Sequence, residues 1–448
     1  MTALLTRPRI GGAPDAYRAY SAHNYWQIPQ VERLSEEQRF AIDVVAKVLP
    51  FKTNNYVVDQ LIDWDAVPDD PIFILNFPQA DMLDPADFDA VARLLRAGAP
   101  SSQVDEVVDR IRHSLNPHPA GQLEHNVPTL EGVRLQGIQH KYPETVLFFP
   151  SNGQTCHAYC TFCFRWPQFV GMDGMKFAMR EAELLVAYLR EHPEASNVLF
   201  TGGDPLVMRT DRLALYIDAL IEAKLPNLTT IRIGSKAMSY WPYRFLGEEG
   251  EELLALFRRV TDAGLHLALM AHINHPAELS TAAAREALER IRETGAQVRA
   301  QSPLMKNIND SSDAWAEMWA EEVRLGAIPY YMFVARDTGA KHYFEVPLVR
   351  AWEIFQDAYK RVPGLARTVR GPSMSAGPGK VCVLGPAQVG NERVLALNFL
   401  QGRNPDWVGR PFFAQYDEQA TWLDELRPAF GEEKFFFEDE LAGMFAQP

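Results

Sequence analysis

The chain has 448 residues, 47% hydrophobic and 23% charged, with a formal net charge of -14. That composition suits a soluble globular protein of one extended domain or of two to three domains, and it offers no basic face for nucleic acid. No apolar run approaches the roughly 20 residues of a membrane helix, and four cysteines make no disulfide framework, so no membrane partner and a cytoplasmic location are expected.

Residues 1 to 135 read as a mainly helical region. LSEEQRFAIDVVAKVLP opens on a serine cap signal and then runs at helical spacing. A proline-rich connection follows and leads into a second helix, with Asp84 as its start. SSQVDEVVDRIRHSL supplies a third.

The rhythm changes near Lys141. VLFFP (146–150), NVLFTGG (197–203), TTIRIGS (229–235), LHLALMAHIN (265–274), AQVRAQSPL (296–304) and IPYYMFVA (328–335) are short apolar runs. Helical patterns lie between them. Six strands alternating with helices predict an α/β region, residues 136–349, with a parallel sheet that is open or curved into part of a barrel. Reactive groups in such folds gather beyond the C-terminal ends of the strands. Residues 350–448 form a separate C-terminal region: a helix, a glycine-rich loop GPSMSAGPGK (371–380), then VCVLG and RVLALNF as an antiparallel pair. The aromatic and acidic tail is expected to pack back on the body.

Three of the four cysteines, Cys156, Cys160 and Cys163, follow the first strand with spacing C-x3-C-x2-C. Three thiolates on one loop hold three irons of a cubane cluster and leave the fourth iron open to a small molecule. Structural zinc wants four ligands and normally a second pair further on. A redox dithiol would use Cys160 and Cys163 and leave Cys156 unexplained. Inert buried thiols are the third alternative.

The motif C-x3-C-x2-C after the first strand resembles the signature of radical S-adenosylmethionine enzymes. HKYPETVLFFPSNGQTCHAYCTFCFRWPQF, NVLFTGGDPLV, IRIGSK, HINHPAE, QSPLMKNIND, IPYYMFVARD and GPGK resemble, in order, the lysine 2,3-aminomutase family over residues 135–405. The resemblance implies a partial (β/α)6 TIM-like barrel with a helical N-terminal extension and a small C-terminal region. It implies a 4Fe-4S cluster on Cys156, Cys160 and Cys163, S-adenosylmethionine, pyridoxal 5'-phosphate, and a 1,2 shift of an amino group on a small amino acid. An external electron donor such as flavodoxin or ferredoxin is then needed.

Each remaining residue has a chemical reading beside a plain one. Gly202 and Gly203 let backbone approach a ligand, and Asp204 receives an ammonium group, by resemblance the methionyl amine; a β-to-α turn reads the same way. Arg232, Ser235 and Lys236 hold the nucleoside or a carboxylate, or form a structural ion pair. HINHPAE reads as a loop brace as well as a ligand contact. Gln301 and Asn307 can donate to cofactor oxygens. Lys141 is a phosphate contact; Thr145 stands where the family commonly has arginine. Arg165 matches the arginine that receives the substrate α-carboxylate, although Arg165-Trp-Pro-Gln168 makes the pocket less basic than the family's. Lys380 matches the lysine that captures pyridoxal phosphate, with Pro378 interrupting the glycines. Arg336 and Ser373 match two aspartates that hold lysine's distant ammonium, so the substrate is expected to be glutamate or another non-cationic amino acid. Asp337, one residue on, would restore an acid if the register shifts. The family's C-terminal zinc cysteines have no counterpart after Cys382, so no zinc is expected there. The assembly stays open, with a homodimer expected. Rivals are a radical enzyme of this group with different chemistry (decarboxylation, deamination or modification without pyridoxal phosphate) and a non-catalytic metal-binding protein.

Overall fold

The computed structural model describes residues 16–117, 125–172 and 177–446. Residues 1–15, 118–124, 173–176 and 447–448 lie outside them.

Local signals act as the sequence suggests in the N-terminal region. Helix α1 (Glu36–Val48) starts at Ser35, whose side chain accepts from Gln38 N while the Gln38 side chain accepts from Ser35 N. Asp84 caps α2 (Pro85–Arg96), with Pro85 at its first position, and α3 (Ser101–Ser114) follows. The proline-rich connection is less plain than expected, since it holds a short helix, Pro71–Asn76, capped by Asp70. The apolar cluster of this region includes Ile42, Val45, Phe73, Phe77, Val91 and Ile111. It continues into Ala158, Trp166, Tyr240 and Phe344, so the helices pack directly on the cysteine loop and its neighbours.

The centre is one eleven-stranded sheet whose strands neighbour each other in chain order. They are β1 (Ile138–Tyr142), β2 (Thr145–Phe148), β3 (Asn197–Phe200), β4 (Thr230–Ser235), β5 (His266–His272), β6 (Gln297–Leu304), β7 (Ile328–Val334), β8 (Arg370–Ser375), β9 (Gly379–Val389), β10 (Glu392–Gly402) and β11 (Pro411–Gln415). The six predicted strands are β2 to β7 and pair in parallel, for example Val146 with Val198 and Ile231 with Leu267. Parallel pairing requires crossovers, supplied by α4 (Ala182–Glu191), α5 (Thr210–Ala223), α6 (Gly247–Asp262), α7 (Ala282–Glu293) and α8 (Ser312–Leu325).

One expectation fails in this region. GPSMS is not loop: β8 is a seventh parallel strand, paired to β7 through Phe333 and Ser373. Helix α9 (Leu348–Arg361) crosses between them. The antiparallel pair expected after it is β9 and β10, extended by β11. The aromatic tail packs back, with Phe435 and Phe437 joining Phe399, Trp407 and Phe412 in one cluster.

Strand period decides which side chains point inward. In β4, Ile231, Ile233 and Ser235 are buried, and the alternate position Arg232 faces the other side. Leu213, Ile217, Leu253 and Phe257 from α5 and α6 cover the apolar face. The other face curls around a cavity. Lys141 of β1 donates to the carbonyl of Ala376, just past β8, and Gln401 of β10 donates to Glu144, between β1 and β2. Side chains thus bridge the two ends of the curl, while no backbone pairing among the described residues closes it. No described helix is long and apolar enough to cross a membrane.

Candidate active site

The cysteine loop is built between two supports. On one side the N-terminal region grips it: Lys52 Nζ donates to Cys156 O at 2.7 Å, Tyr159 N donates to Lys52 O at 2.7 Å, and Thr161 N donates to Leu75 O at 3.0 Å. On the other side lies the turn after β3. Gly203 N donates to Gly153 O at 3.1 Å and Asp204 N to Thr155 O at 2.7 Å. A Cβ on Gly203 would overlap the Thr155 backbone, and one on Gly202, at φ +137, would overlap the Gln154 amide. The glycines therefore serve the close approach of two loops.

Cys156, Cys160 and Cys163 are all free and half-buried. Their sulfurs do not come together within 4.8 Å of one another. A single tetrahedral zinc needs sulfurs about 3.8 Å apart, whereas a cubane binds each thiolate at a separate iron. The donor set fits the cluster better than one ion. Burial, with neighbouring acidic groups, raises the Cys156 thiol well above its ordinary range, and burial pushes Cys160 up to about 12. Only a metal would make them thiolates at neutral pH. Tyr240 stands 3.7 Å from Cys160 Sγ through its hydroxyl. The Cys160 thiol donates to that hydroxyl, and so does Asn76 Nδ2 at 3.3 Å; a sulfur bound to iron carries no proton and would accept from the hydroxyl instead.

Beside this loop, Asp204 accepts from Ser235 Oγ at 2.8 and 2.9 Å, from Lys236 N at 2.9 Å and from Leu206 N at 2.9 Å. It braces β3 against β4 and is not the open acceptor its sequence suggests; Ser235 is spent on the same brace. Lys236 Nζ pairs with Glu278, donates to Asn274 Oδ1 at 2.8 Å and to His272 O at 3.2 Å, and lies over the Tyr240 ring. HINHPAE is a brace here: Glu278 also accepts from Asn274 N and His275 N.

A cavity of about 650 Å³ opens within the curl. Lys141, Arg165, Arg232, Arg336 and Lys380, all singled out in the sequence, line it together. Lys380 Nζ donates to Gln401 Oε1 at 2.9 Å and sits 4.2 Å from the centre of the Tyr331 ring. Burial, then the cations Arg232 and Arg370, bring its amine from 10.5 down to about 7. Lys141 falls well below its usual range for the same reasons, burial first and then Arg403, Arg336 and Lys380. Arg165 lies over the Phe149 ring at 4.3 Å, and its guanidinium makes no hydrogen bond or ion pair among the described residues. Burial lowers it to about 10. Arg336 faces the Phe164 and Trp422 rings, with its Nε 3.7 Å from Asp337.

Three sequence assignments do not meet at this cavity. Ser373 is fully buried under Met332 O; Ser375, one period further along β8, lines the wall instead. Asn307, at φ +67, is exposed and borders a separate surface groove with Glu37 and Asp69. Gln301 on β6 is half-buried and outside the lining. Arg403 was missed: it joins the wall, held by Gly377 O at 2.9 Å and Asn126 Oδ1 at 2.6 Å. So were Gln401, which accepts from the Lys380 amine, and Glu144, which accepts from the Gln401 amide. Period two along β10 marks Gln401 and Arg403 as one face, but not which face.

No family model matches the chain. A curated protein of Aquifex aeolicus, "Putative L-lysine 2,3-aminomutase", is 31% identical over 405 residues, covering 90% of this chain and 95% of its own length. The chain belongs to the lysine 2,3-aminomutase family. It is therefore a radical S-adenosylmethionine protein by relationship, and its three cysteines sit where that cluster chemistry would be housed. The L-lysine 2,3-aminomutase of Bacillus subtilis is 26% identical over 68% of this chain and 60% of its own length. That of Escherichia coli is 30% identical over 52% of this chain and 66% of its own. Among solved structures, a radical SAM methyltransferase from Sphaerobacter thermophilus covers 63% of this chain and 93% of its own at 17% identity, with TM-score 0.36. Streptococcus suis SuiB reaches 0.35 at 13% identity over 60% of this chain and 56% of its own, and neither score is high enough to bear on this family's chemistry.

Proposed function

We propose that this aminomutase relative moves the α-amino group of an acidic or otherwise non-cationic amino acid to its β-carbon, with glutamate as the first candidate. The observation that carries the reading is the charge of the cavity around Lys380. Six lining side chains are basic (Lys141, Arg165, Arg232, Arg336, Lys380, Arg403) and two are acidic (Asp337, Asp424). At about 4 Å from Arg336 a substrate ammonium would cost on the order of 4 kcal/mol at an intermediate dielectric, while a carboxylate would gain as much. Asp337 already lies beside Arg336.

When bound, the cluster and S-adenosylmethionine would supply a carbon-centred radical, and pyridoxal phosphate would supply an electron sink for the migrating nitrogen. The chain's own residues have these roles in the reading. Cys156, Cys160 and Cys163 hold the cluster, and the turn at Gly202, Gly203 and Asp204 fixes their loop. Lys380 offers a neutral amine at physiological pH to a carbonyl, oriented by Gln401. Arg403 gives a positive wall suited to phosphate, with the Lys141 amine beside it as a hydrogen-bond donor. Arg165, free of protein acceptors among the described residues and stacked on Phe149, takes the α-carboxylate as a planar fork. Arg336 takes the distal carboxylate. The curl and the tail residues Leu441 and Phe445, which also line the cavity, keep solvent off a reactive carbon.

The test is anaerobic turnover with glutamate and with lysine, reading β-amino acid product and 5'-deoxyadenosine. Product and cleavage with glutamate alone are expected. Turnover with lysine, without glutamate, would reject the use of Arg336. Cleavage with neither, in protein that holds pyridoxal phosphate on Lys380, would reject the substrate class.

A further inference from the structure

A second cluster of ligating side chains lies apart from the cavity, on the outer side of the edge strand β1. His140 sits on β1; His192 and Glu194 follow the C-terminal end of α4. One ring nitrogen of each histidine and one carboxylate oxygen of Glu194 lie within 4.8 Å of one another, and they are the one such group of three among the described residues.

The hydrogen bonds settle the state of His140. Its Nε2 lies 3.0 Å from Pro143 O. A carbonyl only accepts, so Nε2 carries the proton and Nδ1 is bare. Nδ1 receives the Tyr188 hydroxyl at 2.7 Å. A histidine whose far N–H is fixed by a backbone carbonyl, with its other lone pair turned to neighbouring donors, is prepared as a ligand. His192 Nδ1 and Glu194 Oε1 are 2.8 Å apart, and the two rings are edge-to-face at 5.4 Å. Two imidazoles and one carboxylate, with a fourth position open to water, form a donor set for zinc and similar borderline divalent ions.

We propose that His140, His192 and Glu194 bind one zinc-class divalent ion, which staples the edge strand β1 to the end of α4. The ion takes the place of the Tyr188 hydroxyl at His140 Nδ1. The consequence for the cavity follows from strand period. His140 and Lys141 are consecutive, so the strand that is clamped on its outer side by the ion carries Lys141 on its inner side. This site is separate from the cysteines and does not depend on the substrate reading.

The experiment uses the full chain, purified without air, cluster-loaded, incubated with zinc chloride and then desalted. Metal analysis should find one zinc per chain beyond the iron. His140→Ala and His192→Ala should each lose it, and Glu194→Gln should weaken it at least tenfold. The chain with Cys156, Cys160 and Cys163 all replaced by alanine should keep it and, with cobalt in place of zinc, show visible bands without sulfur charge transfer. His140→Asn, a milder change, guards against misfolding and should also lose the ion. Zinc retained equally by the histidine variants, or lost with the cysteines, overturns the proposal, as does parent protein that retains none.

Discussion

Lys380 should react as a neutral amine three pH units before an ordinary lysine. Its amine lies at about 7 because burial strips water from the ammonium and Arg232 and Arg370 repel it. At pH 8 such an amine is about 90% neutral, against roughly 0.3% for an unperturbed lysine, a ratio near ~300 in the reactive form. Replacing Arg232 with methionine removes the strongest like-charge repulsion on the amine while leaving the apolar wall. Loss of a neighbouring cation favours the ammonium, so the midpoint should move upward, by on the order of one pH unit. The assay is the rate of pyridoxal phosphate capture from pH 5.5 to 10, trapped with borohydride and mapped by mass spectrometry. The parent should show capture at Lys380 with a midpoint near 7 and Arg232→Met a midpoint nearer 8. A parent midpoint above 9, an Arg232→Met midpoint that moves down, or trapping at another lysine would refute the electrostatic account.

Other changes test other parts of the site. Gly203→Ala should displace the cysteine loop, because its new Cβ has only Thr155 backbone to meet; iron content after reconstitution should fall by more than half, with the bulk of the helical circular dichroism kept. Tyr240→Phe removes the hydroxyl 3.7 Å from Cys160 Sγ, from which an iron-bound thiolate would accept. A thiolate that loses a hydrogen bond leaves the reduced, more negative cluster less stabilised, so the potential should drop by on the order of tens of millivolts, read by electron paramagnetic titration; an unchanged or raised potential would count against the assigned donor. Arg336→Glu should reverse the charge preference, moving the ratio of lysine to glutamate binding by about 10²-fold or more, and equal loss of both would show that Arg336 does not read the side chain.

Much of the parallel-sheet region was legible because its signals are local. Six apolar runs alternating with amphipathic helices need only neighbours in sequence to be recognised, and all six became parallel strands. The cysteine spacing is equally local. β8 was not legible, since Gly371, Pro372, Gly377, Pro378 and Gly379 are turn residues by composition and only pairing with β7 makes 370–375 a strand. Asp204 looked open because its partner Ser235 is thirty-one positions away and meets it only across two adjacent strands.

The sequence by itself determined which segments are strands and helices, where three thiols crowd one loop, and the family to which those motifs belong. Tertiary structure alone decided which charges share a space. Lys141, Arg232, Arg336, Lys380 and Arg403 are spread over more than 260 positions, and no short-range rule joins them. They meet because successive parallel strands add in chain order until side chains from the two ends of the curled sheet bridge, and only then do burial and mutual repulsion bring the Lys380 amine down to a reactive range.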